Sequence, residues 1–104
     1  MTDAKIKQCA KGFRTGLIGK REGDMMCAMV CYPLAGWLGM MGVHTEIEEV
    51  MLQRSNHVFL RLSDGRVLDP TADQFGGPKV YIGEPLWFHR DKDTCPNPAQ
   101  QVRR

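Results

Sequence analysis

Cys27, His57 and Asp69 are the residues whose types and order suit covalent chemistry. A thiolate attacks, an imidazole moves the proton and a carboxylate fixes the imidazole tautomer, which is the logic of a nucleophilic triad. Cys27 falls in the first turn of an apolar segment with helical character, where free backbone N–H groups and the helix dipole favour the thiolate. Its own N–H is also a donor for a developing oxyanion. Ordinary alternatives stand beside each assignment. A cysteine at an apolar position is commonly a small core residue, and a histidine and an aspartate across a hairpin commonly make a surface hydrogen bond.

Whether His57 and Asp69 can meet depends on the turn in "SNHVFLRLSDGRVLDPTADQF". A two-residue Asp64-Gly65 loop pairs Ser63 with Arg66 and puts the two side chains on opposite faces of the sheet. A three-residue loop, Ser63-Asp64-Gly65, pairs Leu62 with Arg66 and sets Asp69 opposite Phe59, diagonal to His57 on the same face. Gly65 suits the left-handed last position of such a loop. The sequence permits the second register and mildly favours it. A diagonal of about 7 to 8 Å is within reach of these two side chains.

The elements that would hold these residues follow from periodicity. Ile6, Cys9 or Ala10, Phe13 and Leu17 recur at helical spacing, so residues 3 to 18 form an amphipathic helix. Asp24 is placed to cap a second helix through "MMCAMVCYPLAGWLGMM" that stops at Gly42. Being apolar almost all round, it is expected to be central, with Pro33 kinking it or tightening its first turns. From Val43 the pattern becomes β-like: "VHTEIEEVML", "HVFLRL" and "RVLD" read as short strands, with a further one at residues 80–82. Helices followed by strands give an α+β domain. Glu46, Glu48 and Glu49 read as the solvated side of an outer strand.

At 104 residues there is room for one domain, set here at residues 1–88, with 89–104 as a polar, mobile tail. Apolar residues at 42% and charged residues at 25% are ordinary for a folded soluble chain. The net charge of +2 is too small to argue for nucleic acid. The six Lys/Arg against two acids in the first 22 residues read as a solvated helix face. The longest apolar run is broken by Pro33 and glycines, so neither a membrane span nor a signal peptide is expected. Four cysteines without an export signal read as reduced thiols, and the expected compartment is the cytoplasm.

These residues resemble the transglutaminase-like branch of the papain-like cysteine-enzyme superfamily. In that family a helix-borne nucleophilic Cys is followed about fifteen residues later by a Gly-led turn, matched by "GVH" from Gly42. A strand then begins with the catalytic His, matched by "HVFLRL", and the next ends with the Asp of "DPT", matched in "VLDPTADQF". The likeness spans residues 23–75 and keeps the order Cys, His, Asp. Phe59 stands where Trp is common, and Met25 where a Gly often precedes the nucleophile. The resemblance implies a Cys-bearing helix packed on a small antiparallel sheet. It also implies Cys27 as nucleophile, His57 as base and Asp69 as orienting acid, attacking an amide, ester or thioester carbonyl through an acyl-enzyme.

The leading expectation is therefore a cysteine-dependent acyl-transfer enzyme, a small peptidase or amidase acting on a protein or peptide, with no cofactor and no metal. The alternative is a binding or regulatory protein that keeps the fold without turnover. Tyr81 and Trp87 are candidate walls of a substrate cleft, with core packing as their other reading. Gln8 is a candidate oxyanion donor on residue type alone. Cys31, one turn after Cys27, is a rival nucleophile or a packing residue behind it. A zinc site from Cys27 and Cys31 with His44, His57 or Cys95 is a weaker possibility, since the spacing matches no common zinc motif.

Overall fold

The computed structural model describes residues 2–18, 27–52 and 56–90. Two helices, α1 (Asp3–Ile18) and α2 (Cys27–Met40), precede a four-stranded antiparallel sheet. Its strands are β1 (Thr45–Met51), β2 (Asn56–Leu62), β3 (Val67–Asp69) and β4 (Tyr81–Gly83), in that spatial order. Short 3-10 helices lie between β3 and β4 (Ala72–Phe75) and after β4 (Trp87–His89). The chain is thus α+β, as the change of period at Val43 predicts. No helix among the described residues is long and apolar enough to cross a membrane.

Helix α1 starts where Thr2 Oγ1 accepts the Lys5 N–H at 3.2 Å, an N-cap that satisfies one otherwise orphaned donor. Helix α2 ends in a Schellman motif. Gly42 adopts φ +86°, its N–H donates to Gly39 O at 3.1 Å and the Val43 N–H to Leu38 O at 2.8 Å. The expected Asp24 cap lies outside the described residues.

Strand alternation gives the sheet two different faces. Val58, Leu60, Leu62 and Leu68 point toward the helices and pack with Ile6, Ala10, Cys31, Leu34 and Leu38. Phe59 and Val67 point the other way, into a second apolar layer with Val50, Leu52, Ala72, Phe75 and Phe88. By the same parity His57 and Asp69 belong to this second face, away from the body of the helices.

Three expectations need correction. Helix α2 is not enclosed: Val30, Cys31, Leu34 and Leu38 are buried, while Tyr32 and Met40 on its other face are 59% and 85% exposed. Pro33 is exposed on that outer side with Met29, and the helix continues through it. Arg14, read with the basic solvated face of α1, is only 4% exposed. The boundary drawn at His89 also moves, since His89 is buried; residues 91–104 lie outside the described residues. Of the three β1 acids, Glu46 and Glu49 are exposed as expected, and Glu48 is half-buried with its carboxylate 2.8 Å from Arg61 Nε.

Candidate functional site

The hairpin between β2 and β3 adopts the three-residue loop. Leu62 N–H donates to Arg66 O at 2.8 Å, Gly65 N–H to Leu62 O at 3.0 Å, and Gly65 takes φ +91°. Leu60 pairs with Leu68 and Arg61 with Val67, which sets Asp69 beside Phe59 on the face that carries His57. The His57 Nε2 to Asp69 Oδ2 distance is 2.6 Å, with both side chains fully buried.

Pro70 explains how a helix reaches this pair. Continuing the register would make residue 70 the hydrogen-bonded partner of Val58, but proline has no N–H to give. The chain turns off instead, with Asp69 Oδ1 accepting the Thr71 N–H at 3.0 Å. The polar groups of Val58 on that side go to α2. Cys31 Sγ donates to Val58 O at 3.5 Å. One helical turn earlier, Val58 N–H points at the Cys27 sulfur, as does the Ala28 N–H. The same sulfur is hydrogen-bonded to the His57 ring. Two thiols spaced i, i+4 thus replace the missing strand partner, and the first of them meets the imidazole.

Two residues complete the cluster. Gln74, buried on the first 3-10 helix, has Nε2 3.0 Å from His57 Nδ1 and 3.3 Å from Thr71 Oγ1. With the amide nitrogen toward Nδ1 the arrangement suits a neutral ring; turning the amide over offers Oε1 to a protonated Nδ1–H. His89, from the second 3-10 helix, places Nε2 2.7 Å from the same Asp69 Oδ2 that His57 uses. Its Nδ1 accepts the Leu86 N–H at 2.9 Å, so the ring proton resides on Nε2 and is given to Asp69.

The electrostatics follow from this wiring. Burial raises the pKa of Asp69, but the positive charge and hydrogen bond of His57, with a further bond from His89, outweigh it and hold the carboxyl down at about 2. Burial lowers His57, yet the Asp69 charge and hydrogen bond, with Cys27 beyond, lift it to about 9. Burial raises Cys27, but the His57 hydrogen bond and the two backbone N–H groups bring it below the ordinary thiol value. Cys31 goes the other way: burial, then the charges of Asp69 and Cys27, push it well above that value. Burial keeps His89 below the usual histidine value, against the pull of Asp69.

The structure therefore brings Cys27, His57 and Asp69 together, and Cys31 packs behind Cys27 as a thiol donor. Gln8 is exposed on α1, and the glutamine at the site is Gln74. Half-buried Tyr81 and Trp87 pack with the second apolar layer. Tyr81 stacks on His89 at a centroid distance of 5.9 Å and gives its hydroxyl proton to Glu84 O; Trp87 lies edge-on to Phe75 and Phe88.

Among the described residues the expected zinc grouping does not assemble beyond the Cys27–His57 contact. His44 is exposed and pairs with Glu46 at 2.9 Å, Cys31 faces Val58, and Cys95 lies outside the described residues. Among the described residues, the cluster that has metal-like spacing is His57, Asp69 and His89, with ligand atoms within 4.8 Å of one another. Ligation there needs an unprotonated Nε2 on His89, and the Leu86 N–H on its other nitrogen keeps that atom protonated.

Sequence reasoning missed Thr71, Gln74 and His89. The first two carry a faint local signal, three residues apart after Asp-Pro; His89 carries none. Set against protein-family models, curated proteins and solved structures, the chain matches none of them.

Proposed function

We propose that this protein is a cysteine-dependent acyl-transfer enzyme, with Cys27 as nucleophile, His57 as general acid and base and Asp69 as orienting carboxylate, on a papain-like, transglutaminase-like core. The observation that carries this reading is the Cys27–His57–Asp69 chain of hydrogen bonds, in which the thiol is shifted down and the imidazole up. Opposed shifts on adjacent groups favour a thiolate–imidazolium pair at neutral pH. The Cys27 thiolate attacks a carbonyl carbon, and His57 gives its Nδ1 proton to the departing amine or alcohol as the C–N or C–O bond breaks. The thioester left on Cys27 is cleaved by water or an amine that returns a proton to His57, and the acyl group departs as acid or amide. A peptide or protein amide is the proposed donor. A cytoplasmic location, where thiols stay reduced, fits this chemistry.

A second reading is a binding or regulatory protein with an inert cluster. It is favoured by the complete burial of His57 and Asp69 and by Gln74 at the imidazole nitrogen that must serve the thiol.

Alkylation by iodoacetamide as a function of pH, with each cysteine mapped by mass spectrometry, separates the two. The acyl-transfer reading expects Cys27 to label at least about tenfold faster than Cys9 below about pH 7, and to lose that advantage in His57→Ala. Labelling confined to Cys9 or Cys95 with an ordinary thiol profile sinks it in favour of the second reading.

A further inference from the structure

Asp69 serves two imidazoles at one oxygen. His57 Nε2 is 2.6 Å and His89 Nε2 2.7 Å from Oδ2, and all three side chains are fully buried. Of the two rings, His89 is the one whose role is fixed from behind, because a backbone N–H occupies its Nδ1. Its ring is gripped by Phe59 at 4.7 Å, Phe88 at 4.4 Å and Tyr81 at 5.9 Å between centroids, so its N–H is aimed and cannot swing away. A packing residue at this spot needs neither the fixed tautomer nor the short bond to the acid.

We infer that His89 is a positioning residue of the site, acting through Asp69: it holds Oδ2 against His57 and takes a share of that oxygen's charge. This inference rests on the acyl-transfer reading for its purpose. Two N–H donors on one carboxylate oxygen divide its basicity. With His89 gone, Asp69 would hold the His57 imidazolium more tightly, and an acid held too tightly gives up its proton poorly to a leaving group. The charged and titratable groups that face this pair are Asp69 on β3, Arg61 on β2, Tyr81 on β4 and Cys27 on α2.

The test is histidine 15N NMR across pH in wild type, His89→Phe and His89→Gln, alongside Cys27 alkylation. Phenylalanine keeps the ring packing without the donor, whereas glutamine puts an amide N–H near the Nε2 position. In His89→Phe the His57 midpoint is expected to rise by about one pH unit, the scale of one charge-assisted hydrogen bond redistributed. Cys27 should then begin to label at lower pH, and His89→Gln should return both toward wild type. In wild type, the His89 Nε2 resonance should move as His57 titrates while His89 stays neutral. A His57 midpoint unmoved in the phenylalanine variant, equal shifts in both variants, or a His89 resonance blind to the His57 titration each overturns the inference. Should His89→Phe not fold, the glutamine variant and the wild-type resonance decide. Failure of the acyl-transfer reading is seen separately, as wild-type Cys27 labelling no faster than Cys9, whereas the His57 titration reports the hold of His89 on its own.

Discussion

Asp69 keeps a negative charge where no water reaches, because His57, His89 and the Thr71 N–H all donate to it. Its carboxyl sits at about 2 when folded, below its ordinary 3.8, so its contribution to stability is present above about pH 4 and is lost as pH falls through 2. His57 sits at about 9, above its ordinary 6.5, so its contribution is complete below about pH 6.5 and is lost as pH rises through 9. His89, held below 6.5, and Cys27, held below the ordinary thiol value, lend stability that is lost as pH falls. Thermal melts from pH 2 to 10 should therefore show greatest stability near pH 6.5, with a decline toward acid and, as the His57 contribution is lost, toward pH 9. Asp69→Asn should flatten both limbs, destabilise the fold by about 3 kcal/mol and slow Cys27 labelling at neutral pH, because the imidazolium loses its counter-charge. A flat wild-type profile would contradict the buried pair. Of this cluster, His57 and Asp69 were legible in the sequence because period-two alternation and a Gly-ended turn are local rules.

At the scale of elements, the decisive junction is α2 against the start of β2. Pro70 withholds an N–H from Val58, and Cys31 supplies an S–H to the carbonyl while Cys27 receives the amide. Cys31→Ala removes a fully buried donor and leaves both a small cavity and an unpaired carbonyl, a cost of about 1–3 kcal/mol. Urea unfolding should register that loss, and Cys27 labelling should fall because the helix turn that carries it is no longer pinned. Equal Cys27 labelling rates in wild type and variant would show that the first turn is held by other contacts. The sequence placed both thiols on one helix; it did not say that they would substitute for a strand.

Across the whole molecule, Arg14 ties the amino-terminal helix to the segment that carries Asp69 and Gln74. Its guanidinium forms a two-bond fork with Asp73 at 2.8 Å on each arm and also donates to Pro70 O and Lys79 O at 3.1 Å. Arg14→Met keeps much of the apolar stem but removes the two-bond fork to Asp73 and the donors to two carbonyls. It should cost about 3 kcal/mol in urea unfolding, whereas Lys11→Met on the exposed face should change stability by less than about 0.5 kcal/mol. Similar effects of the two substitutions would return Arg14 to the solvated face that its charge alone suggests. The sequence by itself determined what depends on neighbours along the chain: the extent of α1, the glycine stop of α2 and the change to strands at Val43; it favoured without fixing the hairpin register that joins His57 to Asp69. Tertiary structure alone decided that Cys27 reaches His57, that α2 leaves one apolar face open, and that Gln74, His89 and Arg14 join the cluster or brace it. Those contacts link side chains 17, 20 and 59 positions apart, and no periodicity or turn rule extends that far.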